Sequence, residues 1–217
     1  EIELLIVAKP TLPFDNRDLF KLDQYVMNGG KVLWAIDGVA MDLDSLRNRS
    51  EFYPEPYDLG LDELFFKYGL RINGDLVLDV QSSQIPIAVS TTSSGAHIEN
   101  FDFPYHVVAI PEGDHPVIKN VDPVDLRFPS SIDLSVETAN PIEKTILLKS
   151  SSRARYQRLP AAIDLDVQKY SLDMDRFNRD SLVMGVLLEG QFSSPYANRL
   201  SAGFEQTLRD IGNEFKA

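Results

Sequence analysis

The sequence predicts an α/β protein built on a three-layer sheet. Three observations support this class. An apolar run at 2–8 is followed by a helical pattern and a second apolar run at 31–37. Another helical pattern and another apolar run follow within the first 80 residues. The order β-α-β-α-β over such a length is the signature of a three-layer α/β sheet, and further apolar runs predict additional strands in the C-terminal half.

The first β-α-β unit has the clearest pattern. Ile2–Ala8 is a near-continuous apolar run, of the kind that a sheet buries on both faces. Asp15 is placed to cap the following helix by accepting hydrogen bonds from its first backbone amides. Gly29-Gly30 ends that helix, and Lys31–Asp37 is the second strand. One face of the helix is apolar, with Leu19, Leu22, Tyr25 and Val26 at helical spacing.

The next segments complete the predicted pattern. A short helix carries Asp42, Asp44, Arg47 and Arg49, and a proline-broken loop follows it. Leu61–Tyr68 predicts a second helix that Gly69 ends. The third predicted strand ends in Leu76–Asp79.

After Asp79 the pattern becomes less regular. Pro86 predicts that the strand at 85–89 is an edge strand or a short extension, and residues 91–95 predict a flexible loop. Further strands are predicted at 105–110, within 125–136, at 143–149 and at 181–192, the last long enough to be central, with a turn opening a short helix at 114–119. Residues 150–179 predict a long polar loop, and a helical pattern follows at 204–217. We expect one α/β domain over 1–217, with 80–180 as a loop-rich insertion region.

Composition excludes several classes of function. The formal net charge of −12 disfavours binding to nucleic acid, because phosphates would be repelled at long range. The absence of cysteine excludes disulfides, thiolate nucleophiles and cysteine metal sites. The densest basic stretch is 149–158, which we interpret as a loop leaving a strand, with an anion site as the alternative. No run of 18 apolar residues occurs in the sequence.

The motifs of catalysis are also missing. The sequence contains no Rossmann fingerprint, P-loop or G-x-S-x-G elbow. His97, His106 and His115 match no zinc-ligand spacing, and no spacing supports a triad built from Ser94, a histidine and Asp37. The aspartate pairs 42/44, 164/166 and 173/175 are fragments of calcium loops at most, and solvated loop carboxylates are the simpler interpretation. We therefore predict no catalytic residue, no metal ligand and no cofactor.

The best candidates for binding lie where the first two strands end. Lys9, Pro10, Pro13 and Phe14 form the loop after the first strand, and Asp37-Gly38 follows the second. Carboxyl ends of parallel strands are the usual ligand edge of such sheets. Two interpretations are open: a rigid, partly apolar rim that contacts a ligand or partner, or a stiff connection whose prolines fix the entry to the helix.

Several of these motifs resemble a known family. They are the K-P-T-L-P-F loop at Lys9–Phe14, the Asn28-Gly29-Gly30 turn, Trp34 with Asp37, and the Leu61–Gly69 helix leading into Leu76–Asp79. The pattern resembles GldG, the gliding-motility-associated auxiliary component of ABC transporters, within the broader "ABC-type uncharacterised transport system" class. The resemblance covers most of the chain, and the first 80 residues carry nearly all of its specificity.

The resemblance implies a set of expectations. The fold would be similar to flavodoxin-like or class I glutamine amidotransferase-like domains, whose amidotransferase activity does not transfer because it needs a cysteine nucleophile. The protein would be a non-enzymatic auxiliary component, working with an ABC permease and ATPase subunits. The domain would lie on the extracytoplasmic (periplasmic) side of the bacterial inner membrane, as part of a larger membrane-anchored protein.

Two other functions are open from the sequence. A carbohydrate-binding or hydrolytic module on the same fold would use loop carboxylates, and predicts a deep pocket with two convergent carboxylates. A purely structural interaction domain predicts a large apolar surface patch.

Overall fold

A computed structural model describes residues 2–46, 51–92, 95–165, 174–210 and 213–217. Its first three elements form the predicted β-α-β unit, with β1 at Leu4–Ala8, α1 at Asn16–Met27 and β2 at Lys31–Ala35. The two strands pair in parallel, in a register that puts Ile6 opposite Leu33. The prediction of a β-α-β unit at the start of the chain is thus confirmed.

The ends of α1 follow from two local features. Asp15 caps the first turn, where its Oδ1 accepts a hydrogen bond from the backbone N–H of Asp18 at 2.7 Å. At the other end, Gly29 has a φ of +87°. A Cβ atom on Gly30 would lie 2.5 Å from the ring of Tyr25, so any larger residue there would displace that ring.

The rest of the first half is made of short elements. After a 3₁₀ turn at Leu43–Leu46 come β3 (Glu51–Phe52), α2 (Asp62–Tyr68), β4 (Arg71–Ile72) and β5 (Asp75–Asp79). Arg47 and Arg49, predicted on a short helix here, lie outside the described residues. Helix α2 buries Leu64, Phe65 and Tyr68, and Gly69 ends it with a φ of +101°, as predicted.

The second half is rich in strands. They are β6 (Ser82–Thr92), β7 (Gly95–Pro111), β8 (Val124–Arg127), β9 (Ile132–Asp133), β10 (Ile142–Lys149), β11 (Ala154–Arg158), β12 (Ile163–Asp164) and β13 (Val183–Gly190), followed by α3 (Ala202–Asp210). The main sheet has the order β13-β10-β7-β6, and β8 also pairs with β7. β6 lies at an edge of this sheet, as Pro86 predicted, and so does β13, whose predicted length would also allow a central position. Residues 116–120 form turns where the sequence predicted a short helix.

The third predicted strand is present as β5, but it does not extend the parallel sheet. It pairs antiparallel with β11, with Val77 opposite Tyr156. Its other edge is occupied by a loop, because the N–H of Val77 donates to the carbonyl of Pro129 at 2.7 Å. Both edges of β5 therefore already form backbone hydrogen bonds, so β5 does not pair with β2. The molecule is mixed α/β with mostly strands, and among the described residues its parallel part is the β1–β2 pair alone.

Two apolar clusters hold these elements together. The larger one lies around β5 and β7 and includes Leu76, Leu78, Phe103 and Tyr105, all fully buried. The smaller one is centred on α2, and Trp34 of β2 joins it through an edge-on contact with Phe65, with ring centroids 5.2 Å apart. Through Phe14, Trp34 and Ile36, this smaller cluster also supports the loop that follows β1 and the end of β2.

Candidate functional site at the ends of the parallel strands

Lys9 and Asp37 meet where β1 and β2 end. Lys9 has a φ of +46°, and its backbone N–H donates to the carbonyl of Ala35 at 2.8 Å. Its Nζ lies 3.1 Å from Asp37 Oδ2, with the two side chains 70% and 29% exposed. An ion pair this open contributes less than about 1 kcal/mol of stability. It does neutralise Asp37, the only carboxylate among the predicted site residues.

A cleft opens beside this ion pair. It is lined by residues of the β2 end, of the loop before α2 and of α2 itself, including Ile36, Asp37, Gly38, Tyr57, Asp62 and Phe65, and its volume is about 150 Å³. Ligand pockets usually measure roughly 300–1,000 Å³. The cleft therefore has room for a small group or the tip of a side chain.

Gly38 lines the cleft at a position where neighbouring segments leave little room for a side chain. A Cβ atom there would lie 2.5 Å from Ser130 Oγ and 3.0 Å from the carbonyl of Asn73. Ser130 is itself fixed, because its Oγ donates to the carbonyl of Asp75 at 2.7 Å. The close approach of these segments explains the Asp37-Gly38 pair in structural terms.

The prolines and Phe14 of the first loop do not line the cleft. Phe14 packs on the α2 cluster, and its N–H donates to the carbonyl of Leu59 at 3.0 Å. Pro13 is exposed and Pro10 is half-buried. Phe14 thus fits the interpretation of a stiff connection, while a binding role for Lys9, Pro10, Pro13, Phe14, Asp37 and Gly38 stays a prediction.

One face of the β1–β2 pair is apolar and exposed. Leu4, Ile6 and Leu33 are 51%, 59% and 52% exposed, and the exposed Ala8 and Ala35 continue the same face. We call these five side chains the β1–β2 face. The sequence predicted burial on both sides, and this is wrong. On one side Val7 is half-buried and Trp34 packs against Phe65 of α2, but no described element covers the other side.

A buried carboxyl network was missed by the sequence reasoning. Asp23 is fully buried in α1, where it accepts hydrogen bonds from Tyr68 Oη at 3.0 Å and Ser194 Oγ at 2.6 Å. Burial raises the pKa of Asp23, and these hydrogen bonds act in the opposite direction. Its place four residues after Leu19, on the apolar side of α1, was the available signal.

The three histidines lie in different surroundings. His97 is 3.6 Å from Glu99 and His115 is 3.8 Å from Glu189. His106 is buried against the rings of Phe103 and Phe128, and its burial lowers its pKa. No group of three or more metal-ligating side chains occurs within the described part of the chain.

The other carboxylate and hydroxyl groups considered in the sequence analysis lie only in part among the described residues. Asp42 accepts from both the N–H and the Oγ of Ser45, at 2.8 and 2.9 Å, which is a turn interaction. Ser94, Asp166 and Asp173 lie outside the described residues.

The basic stretch 149–158 differs from its prediction. Residues 154–158 are strand β11, where a loop was expected, because this segment pairs along all of β5. Lys149 pairs with Glu112 at 2.7 Å, and the guanidinium groups of Arg155 and Arg158 lie 5.5 Å and 5.6 Å from the ring centroids of Phe177 and Tyr156, respectively. The charges are thus distributed over ion-pair and ring contacts.

Comparison with known proteins gives a family and a distant relative. The model of a family described as "ABC-type uncharacterized transport system" matches residues 1–213. An uncharacterized protein of Borreliella burgdorferi is 21% identical over 184 residues, which cover 83% of this chain and 34% of that protein. The chain thus spans about a third of the length of that relative. No solved structure matches the chain. Within the described residues, no helix is long and apolar enough to cross a membrane.

Proposed function

Because the chain belongs to the ABC-type uncharacterized transport system family, we propose that it is a non-enzymatic auxiliary component of such a system, acting by protein or ligand contacts. The observation that carries the proposal is the family match, which spans 213 of the 217 residues. The family description itself supports a role beside an ABC-type transport system. The mode of action is argued from the geometry.

The geometry favours a role in binding a partner or ligand over a role in catalysis. The one carboxylate among the predicted site residues, Asp37, is paired with Lys9, and the cleft beside it is small. The β1–β2 face offers three large apolar side chains, each more than half exposed. Exposed apolar patches of this kind typically mark interaction surfaces.

The finer parts of the proposal rest on the sequence resemblance. They are a gliding-motility (GldG) type of system, a permease and an ATPase as partners, and a position on the extracytoplasmic (periplasmic) side of the bacterial inner membrane. From the same resemblance, we also propose that the fold is related to flavodoxin-like or class I glutamine amidotransferase-like domains. The parallel β-α-β unit supports it, although β5 leaves the parallel sheet.

One observation favours a second candidate, a carbohydrate-binding or hydrolytic module. Two carboxylates, Asp37 and Asp62, line the same cleft. Paired carboxylates are the machinery of glycoside hydrolysis. The ion pair of Asp37 with Lys9 and the small volume of the cleft speak for the auxiliary role instead.

Copurification tests the proposal. The tagged protein is isolated from membranes of its host in mild detergent, and coeluting proteins are quantified by mass spectrometry. We expect an ABC ATPase and a permease to be enriched over an untagged control. If neither is enriched and the purified protein turns over a soluble glycoside, the auxiliary role is wrong and the second candidate replaces it.

A further inference from the structure

We propose that the cleft beside the Lys9–Asp37 ion pair binds an alkylammonium group, carried by a lysine side chain of a partner protein. This inference rests on the proposed function, in which the chain acts by contacts, and it names the chemistry of the ligand. It follows from the lining of the cleft, from carboxylates without a cation of their own, and from the ammonium group that already lies on Asp37.

The cleft has the size and the lining for the tip of a lysine side chain. Its volume is about 150 Å³, and a cavity of roughly that volume holds one molecule of benzene. A lysine side chain is an ammonium group on a slender four-carbon stem. The carboxylates of Asp37 and Asp62 would pair with the ammonium group, and apolar residues of the lining would contact the stem. These apolar residues are Ile36, Leu59, Leu61, Phe65 and Ile72.

Backbone hydrogen bonds hold two sides of the cleft together. The N–H of Tyr57 donates to the carbonyl of Gly38 at 3.0 Å, and the N–H of Ala40 donates to the carbonyl of Glu55 at 2.8 Å. These two bonds fix the loop before α2 against the segment that follows β2. A ligand would therefore meet a site that is already formed, as most small-molecule sites are.

The charges around the cleft select a cation. Residues 55–63 contribute to its lining and contain no lysine, arginine or histidine, but four carboxylates: Glu55, Asp58, Asp62 and Glu63. Glu63 pairs with Arg199 at 2.6 Å. Within the described part of the chain, the other three carboxylates form no ion pair. Both this local excess of negative charge and the net charge of −12 attract a basic group.

Lys9 shows that an ammonium group is accepted at this position. Its Nζ lies 3.1 Å from Asp37 Oδ2, while its side chain is 70% exposed. An ion pair this open is weak, so an incoming ammonium group can displace Lys9 or share Asp37 with it. The ligand would gain two contacts that Lys9, outside the lining, does not make: Asp62 and the apolar part of the cleft. Lys9 is thus an internal competitor of the ligand.

A metal ion fits the cleft less well. Calcium takes six to eight oxygen ligands, and no three metal-ligating side chains come together in the described ranges of the chain. A metal ion would also make no use of the apolar residues. An organic cation needs only one or two carboxylates and matches both parts of the lining.

Two matched probes test the inference in an NMR titration of the 217-residue chain. N-acetyl-lysine N-methylamide carries the ammonium group, and its norleucine analogue has the same stem without it. The backbone amides of Gly38 and Gly74, which line the cleft, are the reporters, and Gly203 in α3 is the distant reference. We expect the lysine probe to bind with a Kd of ~1–10 mM. The norleucine probe should bind at least about fivefold more weakly, because it forms no charged pair.

Lys9→Gln separates this inference from a general effect of charge. Removal of the internal competitor should tighten binding of the lysine probe about threefold. Lys31→Gln is the matched control, since it removes the same charge at the other end of β2, roughly 15 Å away. That distance exceeds the Debye length of about 8 Å at physiological salt, so the affinity should stay unchanged.

Asp62→Asn tests the carboxylate that has no cation. We expect it to weaken the lysine probe about fivefold and to leave the norleucine probe unchanged, because only the charged pair is lost. Asp18→Asn, at an exposed aspartate of α1, makes the same change in net charge and should have no effect. The spectra of all variants show directly whether each one is folded.

The inference is overturned if the two probes bind equally, or if Lys9→Gln and Asp62→Asn change the affinity no more than their controls do. It is equally overturned if n-butylamine shifts the cleft signals and the lysine probe does not, since the cleft would then hold a free amine. The titration reports only on the cleft, whereas copurification reports on the transport system. A failed titration with intact copurification would remove the lysine from the account and leave the auxiliary role in place.

Discussion

Asp23 connects three parts of the molecule through one buried carboxyl group. It projects from α1, and its oxygens accept from Tyr68 of α2 and from Ser194, which follows β13. Since burial raises its pKa, the ionised form is disfavoured in the folded state. Its contribution to stability is therefore greatest below the unfolded pKa of about 3.9, and falls as the pH rises through the folded value.

Removing this carboxyl group should destabilise the fold. Asp23→Ala leaves two buried hydroxyl groups without their acceptor, and we expect a loss of about 3 kcal/mol in the free energy of unfolding. Urea unfolding followed by circular dichroism measures it. Asp18→Ala is the matched control, since Asp18 lies exposed on the same helix, where its carboxylate pairs with Lys21 at 2.7 Å. Equal losses for the two variants would show that the network contributes nothing.

His106 predicts a dependence of stability on pH. Burial against Phe103 and Phe128 lowers its pKa, with the Arg127 charge adding to the shift and the Asp125 charge opposing it. A histidine with a lowered folded pKa stabilises the fold above its unfolded pKa of about 6.5, and this contribution is lost as the pH falls.

The variant His106→Phe isolates this effect. The wild-type chain should lose stability between pH 7 and pH 5 relative to the variant, because only the wild type has this buried group to protonate. Melting temperatures across that range measure the difference. A constant gap between the two proteins would mean that His106 does not titrate on unfolding.

At the scale of elements, the β2 end depends on close backbone approach. Gly38→Ala would place a Cβ 2.5 Å from Ser130 Oγ, and the hydrogen bond of Ser130 to Asp75 restrains that neighbour. We expect a loss of about 1–3 kcal/mol in unfolding free energy. Gly203→Ala in α3 is the control, because its Cβ would meet nothing within 4 Å and should stabilise the helix by up to about 1 kcal/mol. A neutral Gly38→Ala would show that the loop yields freely.

The elements also show how far the sequence could be interpreted. The cap at Asp15, the stop at Gly69 and the edge strand at Pro86 are local effects of single residues, and all three were predicted correctly. The partner of β5 was not, because the apolar run at 76–79 suits a parallel or an antiparallel neighbour equally well. The choice is made by residues 129–131 and 154–158, which are far away in sequence.

For the candidate site too, the sequence could predict only those features that depend on residues close to one another in the chain or on the order of the first elements. Lys9 and Asp37 follow two neighbouring parallel strands, so their meeting at 3.1 Å follows from the β-α-β order. Tyr57 and Asp62 of the cleft come from a segment whose return to this edge has no sequence signal. The exposure of the β1–β2 face could not be predicted either, because an apolar run does not indicate whether one side of a sheet or both sides are covered.

At the scale of the whole molecule, the exposed face and the separate core favour a role in binding to a partner. The β-α-β unit exposes the apolar β1–β2 face, while the chain as a whole is acidic. The larger apolar cluster joins β5 of the first half to β7 of the second and includes no residue of β1 or β2, so the β1–β2 face is exposed without loss to that core. This arrangement suits a protein that joins a larger transport assembly.

Copurification from host membranes tests that claim most directly. We expect an ABC ATPase and a permease to be enriched with the wild-type protein and equally with Ile98→Ser, which removes a side chain of similar exposure (60%) from the β6–β7 hairpin, and to be depleted with Ile6→Ser. Absence of both subunits from the wild-type sample, together with turnover of a soluble substrate by the purified protein, would contradict the account.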